Sequence, residues 1–460
     1  MTATGPGKSI AVLGGGITGL TAAYRLSQRG HRVRLFEQSG RLGGAIRTKM
    51  SDGWLAEAGP NTLQETPGIV ALIRELGLES ERVEAGAAAK NRFVVRDGKL
   101  IPLPLSPGAL LASPLFSLRA KLRALTEIAT SPRTRATDCS VADFARSHFG
   151  AELLDYAVQP FVSGIYAGDA EKLSLRHAFP KLWAAEQSHG SIIRGQIAAA
   201  KVRRAGGESA IPKIISFRRG LQALPDALTA RLPANTVVLS ARVERLIPGR
   251  SWQVMWRDAF AAEPRTENFD AVVVALPASS LASLAIGAGA NEEPLRPLES
   301  IPHPPVSALF LGFRKEDVSH ALGGFGALVP AREKRALLGV LFSSTLFPGR
   351  APEGHVGLTV LAGGTFRPEI PRESPDEVLE AVRDDLRDLL GIKGAPVFLR
   401  HTFWPRAIPQ YHLGYERPLQ VIADCEQAHA GLFIGGQVRD GISLPNCLAS
   451  GENLARRAVT

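Results

Sequence analysis

The first forty residues combine short apolar runs with one helical pattern. Residues 10–13 form a continuous apolar run, which is typical of a buried strand. Apolar side chains then recur every three or four positions over residues 17–28, which predicts a helix, and Gly30 lies where that helix would end. Residues 32–36 predict a second strand. These segments together predict a β-α-β unit within about 30 residues.

Further strands are predicted far downstream. Residues 270–277 predict a strand that is apolar between Asp270 and the proline that ends it, and residues 432–434 form another apolar run. Apolar and polar residues alternate over 236–243 and 252–256, as they do in antiparallel strands. A last helix is predicted over 445–457. A sheet built from such segments combines separated parts of the chain, so we expect a discontinuous domain.

The segment between these parts has a different character. Residues 105–205 show helical patterns that prolines interrupt. Within residues 110–125, leucines and a phenylalanine are interleaved with Arg119, Lys121 and Arg123. A basic amphipathic helix of this kind can lie on an anionic membrane, and it can equally be a surface helix with a solvated basic face. The pattern alone leaves both interpretations open.

Composition excludes several classes of protein. Of the 460 residues, 45% are hydrophobic and 21% charged, so the chain can form a core and is not disordered. Its glycines and prolines follow no period, which excludes collagen and solenoids. With 54 basic and 44 acidic residues the net charge is +10. That excess favours anionic partners such as phosphates, carboxylates or an acidic membrane, and it does not imply nucleic acid.

Cysteine usage and the start of the chain bear on location. Cys139, Cys425 and Cys447 are too scattered for a disulfide framework or a metal site, which favours a reducing compartment. No signal peptide is recognised, and no apolar run approaches ~20 residues, so no spanning helix is predicted. These features predict a protein on the cytoplasmic side, with peripheral or monotopic membrane association at most.

The glycine-rich turn after the first strand predicts a dinucleotide site. Residues 14–19 have the spacing G-x-G-x-x-G. Gly14 permits a tight turn, Gly16 lets the backbone approach a pyrophosphate, and Gly19 lets the helix pack closely on the strand. The helix N-terminus offers its dipole to the anion. Glu37, at the end of the second strand, can bind a ribose diol and would repel a 2′-phosphate.

The residues after Glu37 favour FAD over NAD. Residues 41–44 read Arg-Leu-Gly-Gly, which is typical of the flavin amine-oxidase-like fold, because the arginine can pair with phosphate and the glycines allow a close approach. Residues 57–62 predict a loop beside the isoalloxazine ring, although an ordinary turn would share this pattern. The predicted cofactor-binding residues of this half are Gly14, Gly15, Gly16, Ile17, Thr18, Gly19, Glu37, Gln38, Arg41, Gly44, Ala45, Gly59, Pro60, Asn61 and Thr62.

Over nearly its whole length the chain resembles the protoporphyrinogen oxidase family of FAD enzymes. Beyond the flavin motifs, the resemblance rests on five segments, which are 91–93 (Asn-Arg-Phe), 161–169, 324–330, 408–411 (Ile-Pro-Gln-Tyr) and 435–451. It implies an α/β fold with a discontinuous Rossmann-type FAD-binding domain, a mixed α+β substrate domain and a helical membrane-associating domain.

The resemblance also implies domain boundaries. The FAD-binding domain is expected to comprise 1–88, 211–290 (with sheet) and 416–460. The mostly helical part, 89–210, is expected to contact the membrane and line the substrate site, and 291–415 to form the substrate-binding domain.

The activity implied is the six-electron oxidation of protoporphyrinogen IX to protoporphyrin IX for haem synthesis, in three FAD cycles that each consume O2 and release H2O2. Arg92 matches the arginine that holds a propionate, which a guanidinium can bind through two parallel hydrogen bonds. Phe325 and Phe342 match apolar residues that sandwich the pyrroles. Gly164 lies where a backbone carbonyl can accept a pyrrole N–H, although it could be only a turn residue.

The resemblance assigns further residues to FAD. Val243 would contact the adenine through its backbone, and Trp404 would lie beside the flavin ring. Ile442, Ser443 and Leu444 would face the N1/O2 edge of the flavin from the start of the last helix, whose positive dipole end stabilises negative charge there.

No side-chain general base is evident in the sequence. His189, His401 and His412 are candidates by residue type only. The proton of a pyrrole N–H can leave to solvent or to a carbonyl, while the cofactor carries the difficult chemistry. We therefore assign no catalytic residue and no metal ligand.

Several alternatives stay open. Some family members prefer coproporphyrinogen III, with four propionates, although segments 324–330 and 341–348 favour the protoporphyrinogen type. The scaffold also supports amine oxidases and carotenoid desaturases, and relatives without flavin that escort a lipid-modified partner. The partners expected are a porphyrinogen, O2, a membrane surface and a second copy of the chain in a homodimer, and no nucleic acid.

Overall fold

The computed structural model describes residues 7–127, 135–191, 193–195, 201, 213–259, 261, 263–289 and 292–460. Its strands are β1 Ser9–Leu13, β2 Arg32–Phe36, β3 Thr48–Ser51, β4 Trp54–Glu57, β5 Leu63–Gln64, β6 Arg82–Glu84, β7 Phe93–Arg96, β8 Lys99–Pro102, β9 Ile214–Phe217, β10 Val237–Val238, β11 Ala241–Ile247, β12 Trp252–Asp258, β13 Arg265–Phe269, β14 Ala271–Val274, β15 Ala285–Ile286, β16 Val306–Arg314, β17 Gly326–Leu328, β18 Leu337–Leu341, β19 His355–Gly363, β20 Phe398–Trp404 and β21 Leu432–Ile434.

The helices connect these strands and cover the sheets. They are α1 Ile17–Gln28, α2 Pro67–Glu75, α3 Pro107–Ala112, α4 Leu118–Thr126, α5 Val141–His148, α6 Ala151–Leu153, α7 Gln159–Tyr166, α8 Leu175–Ala178, α9 Pro180–His189, α10 Ala223–Ala230, α11 Ala278–Ala282, α12 Ser343–Leu346, α13 Pro375–Leu390, α14 Glu416–Ala428 and α15 Leu444–Arg457.

A parallel sheet joins three distant parts of the chain. Its strand order is β10-β2-β1-β14-β21, and β1 pairs in parallel with both β2 and β14. Every residue of β1 is buried, as expected for a parallel strand covered on both faces. α1 packs directly against α15, and both helices cover the same face of this sheet. The prediction of a discontinuous Rossmann-type domain is therefore confirmed.

The alternating pattern over 236–243, predicted as a strand, belongs to two strands in the structure. β10 adds to the edge of the parallel sheet beside β2, whereas β11 starts a separate sheet in which it pairs antiparallel with β12. Ser240 separates them with a φ of 55°, a left-handed conformation that ends a strand. The predicted antiparallel pairing is confirmed for β11 and β12.

A seven-stranded sheet forms the second large unit, in the order β20-β16-β19-β18-β17-β7-β8. α13 packs its apolar face on this sheet, with Val382 and Leu386 buried among residues of β16 and β19. β7 and β8 come from the part predicted to be mostly helical, 89–210. Phe93 of β7 pairs with Ala327 of β17, so the helical character begins only at α3.

The helices α3 to α9 form the third unit. α4 begins at the Ser117 cap, whose hydroxyl accepts a hydrogen bond from Ala120 N–H, and Ala120 and Ala124 face the interior. In the described part of the chain, no helix has both the length and the apolar character needed to cross a membrane.

Candidate active site

The glycines of the first turn differ in their surroundings. Gly14 has a φ of 102°, and a Cβ added to Gly19 would collide with the Gly14 carbonyl oxygen, so the fold itself requires both. A Cβ added to Gly16 would meet nothing within 4 Å. Gly16 is the N-cap of α1, where backbone N–H groups are free of helical partners. The open space beside these N–H groups fits a pyrophosphate.

The Glu37 carboxylate lies at the end of β2, beside this turn. It accepts hydrogen bonds from Gly15 N–H (2.7 Å) and from the N–H (2.8 Å) and hydroxyl (2.7 Å) of Ser39. The Glu37 carbonyl accepts from Ala241 N–H at the start of β11, two residues before Val243. The structure thus places Glu37 and Val243, both predicted to contact the adenosine, near each other. Gln38, which follows Glu37, is exposed.

The second glycine pair packs directly on the first turn. Gly43 N–H donates to the Gly15 carbonyl at 2.8 Å, and a Cβ added to Gly44 would lie 3.0 Å from Gly16 Cα. Arg41 donates to the carbonyl oxygens of Gly44 and Ile46. The guanidinium therefore stabilises this turn, and its pairing with phosphate stays a prediction.

The loop at 57–62 adjoins this turn on one side and the large sheet on the other. A Cβ added to Gly59 would collide with the Ala45 carbonyl oxygen. Trp404 Nε1 donates to the Ala58 carbonyl at 2.8 Å, and Thr359 donates its hydroxyl to Asn61 Oδ1 at 3.1 Å. Pro60 and Thr62 flank Asn61 in the same loop. The structure thus brings Trp404 and this loop together, and their place beside a flavin ring stays a prediction.

The N-terminus of the last helix lies close to that of the first. A Cβ added to Gly436, which follows β21, would lie 3.9 Å from the Thr18 side chain. Ser443 caps α15 by accepting from Asn446 N–H. Ile442, Ser443 and Leu444 thus present free backbone N–H groups and a positive dipole end near the first turn of α1, where Ile17 and Thr18 begin that helix.

Glu57, the first residue of the 57–62 loop, forms a buried ion pair with Arg350. Sequence analysis did not identify Arg350. Glu57 accepts hydrogen bonds from Thr48 Oγ1 (2.7 Å) and Leu221 N–H (2.8 Å), and its Oε1 lies 3.9 Å from Nη2 of Arg350. Arg350 is 3% exposed and donates to Ser216 Oγ at 2.6 Å. Burial raises the pKa of Glu57 and lowers that of Arg350. No local motif marks Arg350, because its partners are distant in sequence.

Two of the predicted substrate residues form one surface. The Arg92 guanidinium lies over the Phe325 ring, 5.1 Å from its centroid. Backbone bonds hold this arrangement, since Phe325 N–H donates to the Asn91 carbonyl and Phe342 N–H donates to the Phe325 carbonyl. Burial lowers the pKa of Arg92, and no carboxylate within the described ranges pairs with it. The geometry offers a cation beside an aromatic face.

The other two predicted substrate residues have packing roles. Phe342 is 0% exposed and packs against Phe93 and His320, so its ring has no free face in this structure and Phe325 is the better candidate for a pocket wall. Gly164 lies in the last turn of α7, where an added Cβ would press on Leu328. Close packing against Leu328 thus explains why residue 164 is a glycine. The Gly164 carbonyl is one of the carbonyls in the last turn of α7 that have no N–H partner within the helix.

The three histidines considered as bases occupy different places. His401 shares a hydrogen bond with Ser307 Oγ (2.8 Å), and burial lowers its pKa. Burial also lowers the pKa of His412, which follows the 408–411 segment. His189 ends α9 in the helical unit. The structure does not bring the three together.

Comparisons with known proteins agree over nearly the whole chain. The family model described as flavin containing amine oxidoreductase matches residues 17–459. Protoporphyrinogen oxidase 2 of Arabidopsis thaliana is 35% identical, over 99% of this chain and 94% of that protein. Coproporphyrinogen III oxidase of Bacillus subtilis is 27% identical over 98% of both chains.

A likeness to solved structures supports the fold. The crystal structure of a protein from Exiguobacterium sp. 255-15 superposes with a TM-score of 0.81 at 23% identity, over 98% of each chain. The chain is therefore an FAD-dependent oxidoreductase of the flavin-containing amine oxidoreductase family and, within that family, belongs with the protoporphyrinogen oxidases.

Proposed function

We propose that the protein oxidises protoporphyrinogen IX to protoporphyrin IX with O2 as the electron acceptor. The observation that carries this proposal is Arg92, a half-buried cation without a carboxylate partner in the described chain, held over the face of Phe325. A flat macrocycle with propionate side chains needs both features, an apolar wall and a fork for a carboxylate. Relatives that cover the whole chain carry the name of this activity.

Arg92 binds and orients the substrate in this proposal. A guanidinium binds a carboxylate through two parallel hydrogen bonds, which fixes the direction of the propionate as well as its distance. Partial burial strengthens the pairing, because less water competes for either charge. The apolar contact with Phe325 orients the ring plane.

Bound FAD supplies the hydride acceptor and passes the electrons on to O2. The residues that would hold it are the glycine turn at 14–16, Glu37 and the N-terminus of α15. The first turn would bind the pyrophosphate through backbone N–H groups, Glu37 would bind the ribose, and the positive dipole end of α15 would stabilise negative charge on the flavin.

A pyrrole N–H can be oriented by a hydrogen bond to a backbone carbonyl before its proton is lost. We assign this role to the Gly164 carbonyl in the last turn of α7. Carbonyl oxygens there lack N–H partners within the helix, so one can accept a bond from the substrate at no cost to the helix. The proton itself leaves to water.

The helical unit has a surface that fits a membrane. Leu118, Leu122 and Leu125, at helical spacing on α4, are 68%, 54% and 39% exposed, while Arg119 and Arg123 lie exposed between them. Exposed leucines combined with basic residues bind anionic membranes by burying apolar side chains and by charge attraction. We therefore propose peripheral membrane association through α4, on the cytoplasmic side.

Coproporphyrinogen III is the second candidate substrate, because a relative named for it matches the full chain. That substrate has four propionates and would need further cations around the pocket. Arg92 is the cation that sequence and geometry together single out, which favours the dicarboxylate.

The deciding experiment is an aerobic assay of the flavin-loaded protein with each porphyrinogen, followed by product fluorescence. We expect faster turnover of protoporphyrinogen IX, with protein-free samples as the control for spontaneous oxidation. Preference for coproporphyrinogen III would reverse the substrate assignment. Oxidation of amines without any porphyrinogen turnover would overturn the proposal.

A further inference from the structure

The turn that ends α7 has a conformation that its sequence does not favour. Ala167 has φ 51° and ψ 30°, a left-handed conformation that is unfavourable for a residue other than glycine. Such a residue persists only where its surroundings hold it in place, and this occurs often at functional sites. The turn lies three residues after Gly164, which makes its neighbours informative.

Three successive carbonyl oxygens in this turn are each held by a different part of the chain. Gln410 Nε2 donates to the Tyr166 carbonyl (2.7 Å). Thr365 N–H donates to the Ala167 carbonyl (2.8 Å). Gln159 Nε2 donates to the Gly168 carbonyl (3.1 Å). The end of α7 is therefore fixed, and with it the direction of the Gly164 carbonyl one turn earlier.

Gln410 contributes to this turn only as a donor. It is buried, and its Oε1 has no hydrogen-bond partner in the described part of the chain. Leaving a buried acceptor unpaired costs stability. The hydrogen bonds of the Gln410 side-chain amide are thus the two that its Nε2 donates, to the carbonyls of Tyr166 and Ile408.

Tyr411, the residue after Gln410, forms a hydrogen bond with the loop that leads into α15. Tyr411 donates its hydroxyl to the Gln437 carbonyl, and Tyr415 donates to the Val438 carbonyl at 2.8 Å. Both carbonyls lie in the loop between β21 and α15, in which Gly436 lies beside Thr18. Burial raises the pKa of both tyrosines, so both hydroxyls stay protonated and donate.

We propose that Gln410 and Tyr411 act as a positioning pair, which sets the Gly164 carbonyl at a fixed place relative to the loop that leads into α15. Neighbouring side chains hold the end of α7 on one side and the 435–441 loop on the other. The pair assigns a role to the 408–411 segment, which sequence analysis singled out without giving it a function. The inference rests on the function proposed above for Gly164.

Two substitutions separate the two contacts. Gln410→Met keeps the length of the side chain and removes its donors, and we expect the KM for protoporphyrinogen to rise about tenfold, as for the loss of one or two hydrogen bonds. Tyr411→Phe keeps the ring and removes the hydroxyl, and we expect a shifted visible absorbance band and midpoint potential of the bound flavin. Thr365→Val is the matched control, because it removes one side-chain bond to the same turn, from the Thr365 hydroxyl to the Ala167 carbonyl (3.1 Å), while the backbone N–H of residue 365 still holds that carbonyl.

Wild-type KM in flavin-loaded Gln410→Met, together with a wild-type spectrum and potential in Tyr411→Phe, would overturn the inference even if both variants were less stable. A wild-type protein that neither binds nor oxidises porphyrinogens would instead contradict the proposed function. In that case the spectrum and potential of Tyr411→Phe decide the inference. An unchanged flavin would then overturn it, and a shift that Thr365→Val lacks would support it.

Discussion

Arg92 is a charge that the fold leaves uncompensated. Most arginines in buried or half-buried places have a carboxylate partner, as Arg335 has with Asp385 at 2.8 Å. Arg92 has instead an aromatic ring beneath it and a pKa lowered by burial. A cation kept in this way is stabilised when an anionic ligand arrives.

Replacing Arg92 tests whether substrate binding depends on the two parallel N–H donors of its guanidinium as well as on its positive charge. We expect Arg92→Lys to raise the KM for protoporphyrinogen about tenfold and Arg92→Ala to raise it further, because lysine cannot bind a carboxylate in two parallel bonds. Flavin absorbance should stay unchanged. Steady-state kinetics measure the effect, with Arg332→Ala as control, since Arg332 is exposed and pairs with Asp155. An unchanged KM in Arg92→Ala would remove Arg92 from the substrate site.

The buried pair of Glu57 and Arg350 predicts a stability change that depends on pH. We expect Arg350→Met to cost about 3–5 kcal/mol, since it leaves a buried carboxylate unpaired. Burial already raises the pKa of Glu57, and a raised carboxyl pKa means that ionisation destabilises the fold. The variant should therefore recover stability as pH falls and Glu57 is protonated.

Urea denaturation of the flavin-loaded protein at several pH values measures this effect. The double variant with Glu57→Gln should be more stable than Arg350→Met alone, because no buried charge remains. The exposed pair of Glu380 and Arg383 provides a control substitution with a small effect. A loss of stability in Arg350→Met that does not vary with pH would contradict the assignment.

At the scale of elements, the sequence pattern predicted those helices and strands whose conformation depends on residues close in sequence. The helix over 17–28 and the strand over 32–36 agree with α1 and β2, because apolar spacing alone defines a β-α-β unit. The alternating run at 236–243 was divided between two sheets, since the turn at Ser240 depends on distant partners. The place of β7 in the seven-stranded sheet likewise depends on β17.

The candidate site follows the same rule. The closeness of the glycine turn and Glu37, shown by the bond from Gly15 N–H to the Glu37 carboxylate, was predictable, because both lie at the ends of neighbouring strands in one β-α-β unit. Arg350 and the contacts of Gln410 were not, since their partners lie in other segments of the chain.

Two glycines of α1 give a matched test of ligand and fold. We expect Gly16→Ala to fold normally, because an added Cβ meets no protein atom within 4 Å, and to bind FAD at least about tenfold more weakly, because the methyl group occupies the pyrophosphate space. Gly19→Ala should lower stability instead, since its Cβ collides with the Gly14 carbonyl. Thermal unfolding of the apoprotein and flavin titration separate the two. Normal flavin affinity in Gly16→Ala would contradict the proposed site.

At the scale of the whole molecule, a positive net charge accompanies the exposed apolar surface of α4. The net charge of +10 and the exposed leucines of α4 both favour an anionic bilayer. Such a location suits an apolar macrocycle, which dissolves poorly in water.

Removing the α4 leucines tests the membrane contact. We expect Leu118→Ser with Leu122→Ser to weaken binding to anionic phospholipid vesicles about tenfold, because burying each leucine contributes favourable transfer free energy. Vesicle sedimentation measures it, and Val397→Ser, another exposed apolar position, serves as control. High salt should weaken wild-type binding by screening Arg119 and Arg123. Equal sedimentation of variant and wild type would rule out α4 as the contact.

The order of strands in the parallel sheet has a consequence for synthesis of the chain. β21, at residues 432–434, pairs with β14, and α15 packs against α1. A ribosome releases the N-terminal segments first. The glycine turn at residues 14–19 is therefore synthesised long before β21 and α15, which complete its surroundings. We therefore expect flavin to bind only near the end of translation, so that a nascent chain stalled before β21 retains little cofactor.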